Sequence, residues 1–148
     1  MIQYVQGDIF SSKAQTLVNP VNTVGVMGKG LAYHFKQRYP VTFEKYKKAC
    51  NAKLMKPGML LLTKESGRYI LCFPTKEHWK DPSRLEYIKA GLAKLVSKYE
   101  EKGIESIAFP MLGCGCGGLN WHDVRPLMEQ YLNQIPIPVF IYIKENDV

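Results

Sequence analysis

Runs of hydrophobic residues along the chain predict six β-strands. The first alternates hydrophobic and polar positions up to the Gly7-Asp8 turn, as a strand with one buried face does. The last two are continuously apolar, which is typical of strands buried on both faces of a sheet. The third and fourth are expected to pair as a hairpin around Glu65-Ser66-Gly67. The predicted strands cover residues 2–9, 16–21, 59–63, 68–73, 106–111 and 139–143.

Four helices are predicted between these strands. The clearest follows Ser83-x-x-Glu86, which has the pattern of a capping box, and ends before Gly103. Two others cover residues 31–39, ending at Pro40, and 42–49, with Thr42 as the expected N-cap. The fourth follows Leu119, and Pro126 either starts it or kinks it. In the clearest helix the apolar side chains recur at helical spacing, at Leu85, Ile88, Leu92, Leu95, Val96 and Tyr99.

The alternation of strands and helices predicts the fold class. Helices on both sides of a sheet, with one hairpin in the middle of the chain, indicate a three-layer α/β/α domain around a central mixed β-sheet. The chain has 148 residues, of which 46% are hydrophobic, so it is expected to form one domain over residues 1–148. In sheets of this kind, ligands bind at the carboxyl ends of the strands.

Two glycine-rich loops each lie between a predicted strand and a predicted helix. Glycine lets backbone amides turn together toward an anion, and a helix that opens after the loop adds its free N–H groups. The Gly25-x-x-Gly28-x-Gly30 spacing differs from that of dinucleotide-binding and nucleotide-phosphate loops. We therefore expect a phosphate-binding cleft, whereas the plainer alternative is that glycine serves only turns and caps. The loops are Asn19-Pro20-Val21-Asn22-Thr23-Val24-Gly25-Val26-Met27-Gly28-Lys29-Gly30 and Leu112-Gly113-Cys114-Gly115-Cys116-Gly117-Gly118-Leu119.

Composition narrows the class of protein further. No apolar run has the length of a membrane span and the first residues lack a secretion signal, so a cytoplasmic protein without a membrane partner is expected. The four cysteines lack Cys-x-x-Cys spacing and only three histidines accompany them, so neither a metal site nor a disulfide is expected. The net charge of +7 favours polyanionic partners. Trp79, Lys80 and Arg84 combine an aromatic ring with positive charge and form the candidate nucleic-acid surface.

Motifs spread over the chain resemble a known family. Val5-Gln6-Gly7-Asp8-Ile9, Asn19-Pro20-Val21-Asn22 and the two glycine loops together resemble a macrodomain. More narrowly, the chain resembles the macrodomains of DarG-type antitoxins, which remove ADP-ribose from DNA. Full-length antitoxins of that type carry a further C-terminal region, so the sequence resembles the macrodomain alone. The motifs of the narrower resemblance are Val24-Gly25-Val26-Met27-Gly28-Lys29-Gly30, Phe73-Pro74-Thr75-Lys76-x-His78-Trp79 and Gly117-Gly118-Leu119-x-Trp121.

The resemblance implies an ADP-ribose site that needs no cofactor and no metal. Asp8 would accept a hydrogen bond from the adenine amine, although its position also suits a turn or N-cap residue. Asn22 would bind hydroxyls of the distal ribose, although a lone asparagine in a loop is usually a turn residue. The glycines would surround the pyrophosphate, with Val26 and Leu119 as apolar walls. The implied ligand contacts are Gly7, Asp8, Ile9, Asn22, Gly25, Val26, Met27, Gly28, Gly30, Gly113, Cys114, Gly115, Cys116, Gly117 and Leu119.

Lys76 is the expected catalytic residue, because it matches the lysine of DNA-acting macrodomain hydrolases and follows a strand. Its amine could attack the anomeric carbon of the ribose, or its ammonium could protonate the departing base. Some relatives release a lysyl adduct with an aspartate of the second glycine loop, where this chain has Gly117. The covalent route and direct attack by water therefore both stay open. A surface cation that touches phosphate is the alternative for Lys76, and His78 is a candidate either for proton transfer or for a structural hydrogen bond.

Three functions from different classes follow. The leading hypothesis is a hydrolase that removes ADP-ribose from thymine in single-stranded DNA and so opposes a DarT-like toxin. A second is a module that binds ADP-ribose without turnover. A third is a hydrolase of ADP-ribosylated protein or of small ADP-ribose esters. Parallel assays on modified DNA and modified protein separate the three.

Overall fold

The computed structural model describes residues 1–144, and these contain one six-stranded sheet. Its strands are β1 (Ile2–Gln6), β2 (Thr16–Val21), β3 (Leu61–Glu65), β4 (Arg68–Pro74), β5 (Ile107–Phe109) and β6 (Val139–Ile143). The order across the sheet is β1-β6-β5-β2-β4-β3. All neighbouring strands are parallel except β3, which runs antiparallel to β4. The mixed sheet confirms the predicted fold class.

Helices cover both faces of this sheet. They are α1 (Gly30–Arg38), α2 (Pro40–Asn51), α3 (Leu85–Lys98) and α4 (Trp121–Leu132), and a short 3-10 helix follows β1 at Ile9–Ser11. Consecutive strand residues point to opposite faces. Leu17 of β2 accordingly packs in the cluster that contains Phe35 of α1, whereas Val18 packs in the larger cluster with Ile88 of α3. Within residues 1–144 no helix has both the length and the apolar character needed to cross a membrane.

The β3–β4 hairpin is confirmed, and its turn helps to start α2. Ser66 and Gly67 both have positive φ, 54° and 76°, as a two-residue hairpin turn requires. The carboxylate of Glu65, the last residue of β3, accepts hydrogen bonds from the backbone N–H groups of Val41 (3.2 Å) and Thr42 (2.7 Å). These are among the N–H groups that a helix cannot satisfy from within its own first turn.

Two predicted helix starts turn out differently, and one of the two alternatives for Pro126 is excluded. Thr42 is not an N-cap, because α2 begins earlier, at Pro40, with Tyr39 as its cap. Proline suits that position, since the first helical N–H needs no partner within the helix. The capping box at Ser83 is also wrong: Arg84 caps α3 without a side-chain bond, and Ser83 Oγ turns away to Thr75. Pro126 lies inside α4 and therefore does not start it.

Candidate active site

A cleft of about 840 Å³ opens at the carboxyl ends of the parallel strands. The two glycine loops, the segment that follows β4 and the end of β6 form its walls. The predicted site residues that line it are Gly7, Asn22, Val26, Gly28, Gly30, Lys76, Trp79, Gly113, Cys114, Gly115, Cys116, Gly117 and Leu119. Asp8, Ile9, Gly25, Met27, His78, Lys80 and Arg84 lie outside the lining.

Asn22 organises the first glycine loop from within. Its Oδ1 accepts hydrogen bonds from the backbone N–H of Val24 (3.0 Å) and from the Tyr46 hydroxyl (2.7 Å), and its Nδ2 donates to the Val26 carbonyl (2.7 Å). Tyr46 is fully buried on α2, and burial raises the pKa of its hydroxyl, which therefore stays protonated and donating. The side chain predicted to bind ribose is thus already committed to shaping the loop.

The first loop leads into α1, whose N-terminus opens onto the cleft. Lys29 caps this helix without a side-chain hydrogen bond, so among the described residues the first N–H groups of α1 have no side-chain acceptor. Gly28, Lys29 and Gly30 all line the cleft at this point. Free N–H groups, the positive end of the helix dipole and the Lys29 ammonium together suit an anion such as a pyrophosphate.

The second glycine loop combines glycines of two kinds. At Gly117 a Cβ would stand 2.2 Å from Ser83 Oγ and 2.5 Å from the Gly113 carbonyl oxygen, so this position lacks a side chain because of internal packing. At Gly115 a Cβ would meet nothing within 4 Å, and φ is not positive. Gly115 is exposed and lines the cleft, so a ligand can approach its backbone closely. Only glycines of the second kind leave room for a pyrophosphate.

Lys76 reaches across the cleft from the end of β4 to the second loop. Its Nζ donates a hydrogen bond to the carbonyl oxygen of Cys116 (3.3 Å). The backbone N–H and the hydroxyl of Thr23 both bond the carbonyl of Glu77, at 2.9 and 3.0 Å, which fixes the next residue against the first loop. Lys76 is therefore linked to the second loop through its ammonium, while the next residue is linked to the first loop, so the ammonium can contact a ligand bound in the cleft.

The residues after Lys76 divide between the cleft mouth and the outer surface. Trp79 lines the cleft with 45% of its surface exposed, and Lys80 Nζ lies 5.1 Å from the centre of its ring. His78 Nδ1 accepts a hydrogen bond from the backbone N–H of Lys80 (3.1 Å), which matches the structural alternative for this residue. Arg84 pairs with Glu86 at 3.2 Å, and this hydrogen bond raises the pKa of its guanidinium. All three predicted nucleic-acid residues are exposed, and of these Trp79 lines the cleft, Lys80 packs on its ring and Arg84 pairs with Glu86.

Asp8 caps the short helix after β1. Its Oδ1 accepts a hydrogen bond from the backbone N–H of Phe10 (2.9 Å), and its carbonyl accepts one from the Ser11 hydroxyl (2.6 Å). This is the turn role considered as an alternative from the sequence. The second carboxylate oxygen is still available to a ligand at this exposed position.

Within residues 1–144, the charged side chains that line the cleft are all basic. They are Lys29, Lys76, Arg125 and Lys144, with His122 beside them. Among the described residues, no aspartate or glutamate lines the cleft. Low-dielectric walls lined with one sign of charge concentrate ligands of the opposite sign. The site is therefore built for an anion.

Comparison with known proteins identifies the family. The Macro domain family model matches residues 18–128. The chain belongs to the macrodomain family. Among solved structures, the macrodomain of Thermus aquaticus DarG is 40% identical with a TM-score of 0.91, over 97% of this chain and 98% of that one. The macrodomain of Mycobacterium tuberculosis DarG is 43% identical with a TM-score of 0.92, over 96% and 97%.

Longer relatives share the same region. Thermosipho africanus DarTG in complex with ADP-ribose is 42% identical to this macrodomain, with a TM-score of 0.93 over 97% of this chain and 42% of that one. A curated Thermus aquaticus protein named DNA ADP-ribosyl glycohydrolase is 40% identical over 96% of this chain. The chain spans about two fifths of the length of such curated relatives.

Sequence reasoning missed several residues of this macrodomain cleft. Tyr46 lies on α2 and holds Asn22 in the loop after β2, and no local pattern marks it. Thr75 and Ser83 line the cleft floor, and Ser83 was interpreted only as the start of a helix because it fits the capping-box pattern. Arg125 and Lys144 come from distant parts of the chain, and only the fold brings them to the cleft.

Proposed function

We propose that this macrodomain is a hydrolase that removes ADP-ribose from DNA, cleaving the N-glycosidic bond between ADP-ribose and a thymine of single-stranded DNA. The observation that carries the proposal is the Lys76 ammonium, which bonds the second glycine loop in a cleft whose described lining, within residues 1–144, holds no carboxylate. The names of the DarG relatives support the choice of DNA as substrate. By the same analogy the protein acts as an antitoxin to a DarT-like toxin, in the cytoplasm.

Binding and chemistry use different parts of the cleft. The open backbone at Gly28 and Gly115 and the N-terminus of α1 receive the pyrophosphate. In the proposed pose the distal ribose lies beside Lys76 and the modified base lies toward Trp79, and this pose is supported by the presence of both residues in the cleft lining. As the glycosidic bond breaks, the base nitrogen takes the electron pair, and the Lys76 ammonium supplies a proton to it.

Paired lysine variants test the proposal on a thymidine-ADP-ribosylated single-stranded oligonucleotide. Lys76→Ala is expected to slow release of ADP-ribose by about 10²- to 10⁴-fold while ADP-ribose binding is retained, because the glycine loops stay in place. Lys80→Ala is the matched control, since Lys80 is exposed and outside the cleft lining. It is expected to keep the chemical step and to reduce the slope of log K against log salt by about 0.7 if it contacts one phosphate.

Three outcomes would count against the proposal. Near wild-type turnover by Lys76→Ala would remove Lys76 from the chemistry. Tight ADP-ribose binding by the wild type without release from DNA or protein would favour a binding module. Release of ADP-ribose from modified protein but not from modified DNA would show that the protein is a hydrolase of ADP-ribosylated protein instead.

A further inference from the structure

Two buried hydroxyl groups lie on the floor of the cleft, next to Lys76. Thr75 and Ser83 are each only 3% exposed, yet both line the cleft. Ser83 Oγ donates a hydrogen bond to Thr75 Oγ1 (3.2 Å). Buried hydroxyls that open onto a ligand cavity can serve the ligand as well as the fold.

Both ends of this hydroxyl pair are tied to the cleft walls. Thr75 directly precedes Lys76, and its backbone N–H donates to the carbonyl of Val21 (2.9 Å). The backbone N–H of Ser83 donates to the carbonyl of Gly117 (2.9 Å). Lys76 Nζ bonds the carbonyl of Cys116, and the Ser83 side chain packs against Gly117, so both residues contact adjacent positions of the second loop.

The pair retains unused hydrogen-bonding capacity. Because Ser83 donates to Thr75, the hydroxyl hydrogen of Thr75 is left without an acceptor among residues 1–144. Ser83 Oγ, in turn, keeps a lone pair that no donor among the described residues occupies. Together the two hydroxyls offer one donor and one acceptor, which is what a single water molecule needs to be held in a fixed orientation.

We propose that Thr75 and Ser83 hold the water that attacks the anomeric carbon, an inference that rests on the proposed function. The water accepts a hydrogen bond from Thr75 and donates one to Ser83 Oγ. Its oxygen forms the new bond to the anomeric carbon as the glycosidic bond breaks. The base leaves with the electron pair and takes a proton from the Lys76 ammonium. The attacking water then gives its extra proton to the resulting Lys76 amine, which restores the ammonium.

Within residues 1–144 no carboxylate lines the cleft, and the hydroxyl pair can orient the water in place of such a base. When a glycosidic bond breaks through an oxocarbenium-like transition state, the attacking water needs little activation by a base. It does ask for a water molecule in the right place, and positioning alone supplies a large share of catalysis.

The test compares Thr75→Val and Ser83→Ala with Thr63→Val. Thr63 is the matched control because it forms a similar buried hydroxyl pair with Thr42 (2.7 Å) outside the cleft. Each protein is given ADP-ribosylated single-stranded DNA in aqueous methanol, and the ratio of methyl ADP-riboside to ADP-ribose is measured. This ratio does not depend on how much of a variant is folded. Thr75→Ser serves as the conservative variant that keeps the hydroxyl.

Loss of either hydroxyl is expected to lower kcat about tenfold or more, with little change in ADP-ribose affinity. The ratio of methyl ADP-riboside to ADP-ribose should rise at least about threefold, because water is no longer positioned better than methanol. Thr63→Val and Thr75→Ser should keep the wild-type ratio. The inference is overturned, and the proposed function stands, if both Thr75→Val and Ser83→Ala keep the wild-type ratio. A covalent ADP-ribosyl adduct on Lys76 during turnover has the same consequence. A wild type that releases no ADP-ribose from DNA overturns the proposed function, and this inference falls with it.

Discussion

Two glycines of the second loop, Gly115 and Gly117, are expected to respond to alanine in opposite ways. An added Cβ at Gly117 would lie 2.2 Å from Ser83 Oγ, which is 1.2 Å inside the 3.4 Å limit of ordinary contact, and 2.5 Å from a backbone oxygen. The backbone contact cannot be relieved by rotating a side chain. Overpacking of this kind costs about 1 to 3 kcal/mol of folding free energy. For a domain of this size, that lowers Tm by ~3 to 10 °C.

Gly115→Ala is expected to leave the fold unchanged and to weaken the ligand. The new methyl group meets nothing within 4 Å and requires no unusual φ, so stability should stay within about 0.5 kcal/mol of wild type. Gly115 lines the cleft, however, and a methyl group there would hold a pyrophosphate away from the backbone amides. We expect ADP-ribose affinity to fall about tenfold, or about 1.4 kcal/mol.

Thermal unfolding without ligand and calorimetric titration with ADP-ribose separate the two effects. If Gly115→Ala binds ADP-ribose as tightly as wild type, the second loop does not approach the ligand in the way argued above. If Gly117→Ala unfolds at the wild-type temperature, the packing of Ser83 against this loop is not what limits the position. The family resemblance implied only that Gly117 surrounds the pyrophosphate, whereas the geometry places the first cost of a side chain there in folding.

Two further predictions concern groups beneath the first loop. Tyr46→Phe removes the hydroxyl that bonds Asn22, so it should lower the free energy of unfolding by about 1 to 2 kcal/mol and weaken ADP-ribose binding. Denaturant titration measures the first effect and calorimetry the second. Wild-type affinity in this variant would show that the loop does not need the hydroxyl. Burial raises the pKa of the Cys72 thiol from 9.0 to about 12. The thiol ionises at lower pH in the unfolded chain, so its contribution to the free energy of unfolding is fully present below about pH 9 and is lost as the pH rises toward 12. The loss of stability over this range, followed by denaturant titration, should be shallower in Cys72→Ala. Parallel curves for the two proteins would show that Cys72 does not cause the loss.

The sequence predicted the fold well because its signals are periodic and local. The hairpin turn at Ser66-Gly67 and the apolar run of β6 depend on neighbouring residues alone, and both appear where expected. The helix starts were harder, since Glu65 caps α2 from a strand more than twenty residues away. A local pattern at Ser83 was wrong because a tertiary partner, Thr75, competes for the same hydroxyl.

The candidate site was predictable in outline and not in its internal contacts. The glycine loops and Lys76 could be found because their motifs are contiguous, and the structure brings them to one cleft. The partners of Asn22 and Lys76 could not be found, because Tyr46 and Cys116 reach them only through the fold. The ligand roles of Asp8 and Asn22 stay predictions, since their side chains already have structural partners.

Hydrogen bonds hold both ends of the segment that covers residues 78–82. Thr23 fixes Glu77 before this segment, and Gly117 fixes Ser83 after it, so the five residues between are anchored at both ends. Exchanging the side chains of this tip would alter which polymer meets the cleft mouth while Lys76 keeps its position. Under the proposed function, we therefore expect that substitutions in residues 78–82, whether evolved or grafted, can change the substrate preference without altering the chemistry at Lys76.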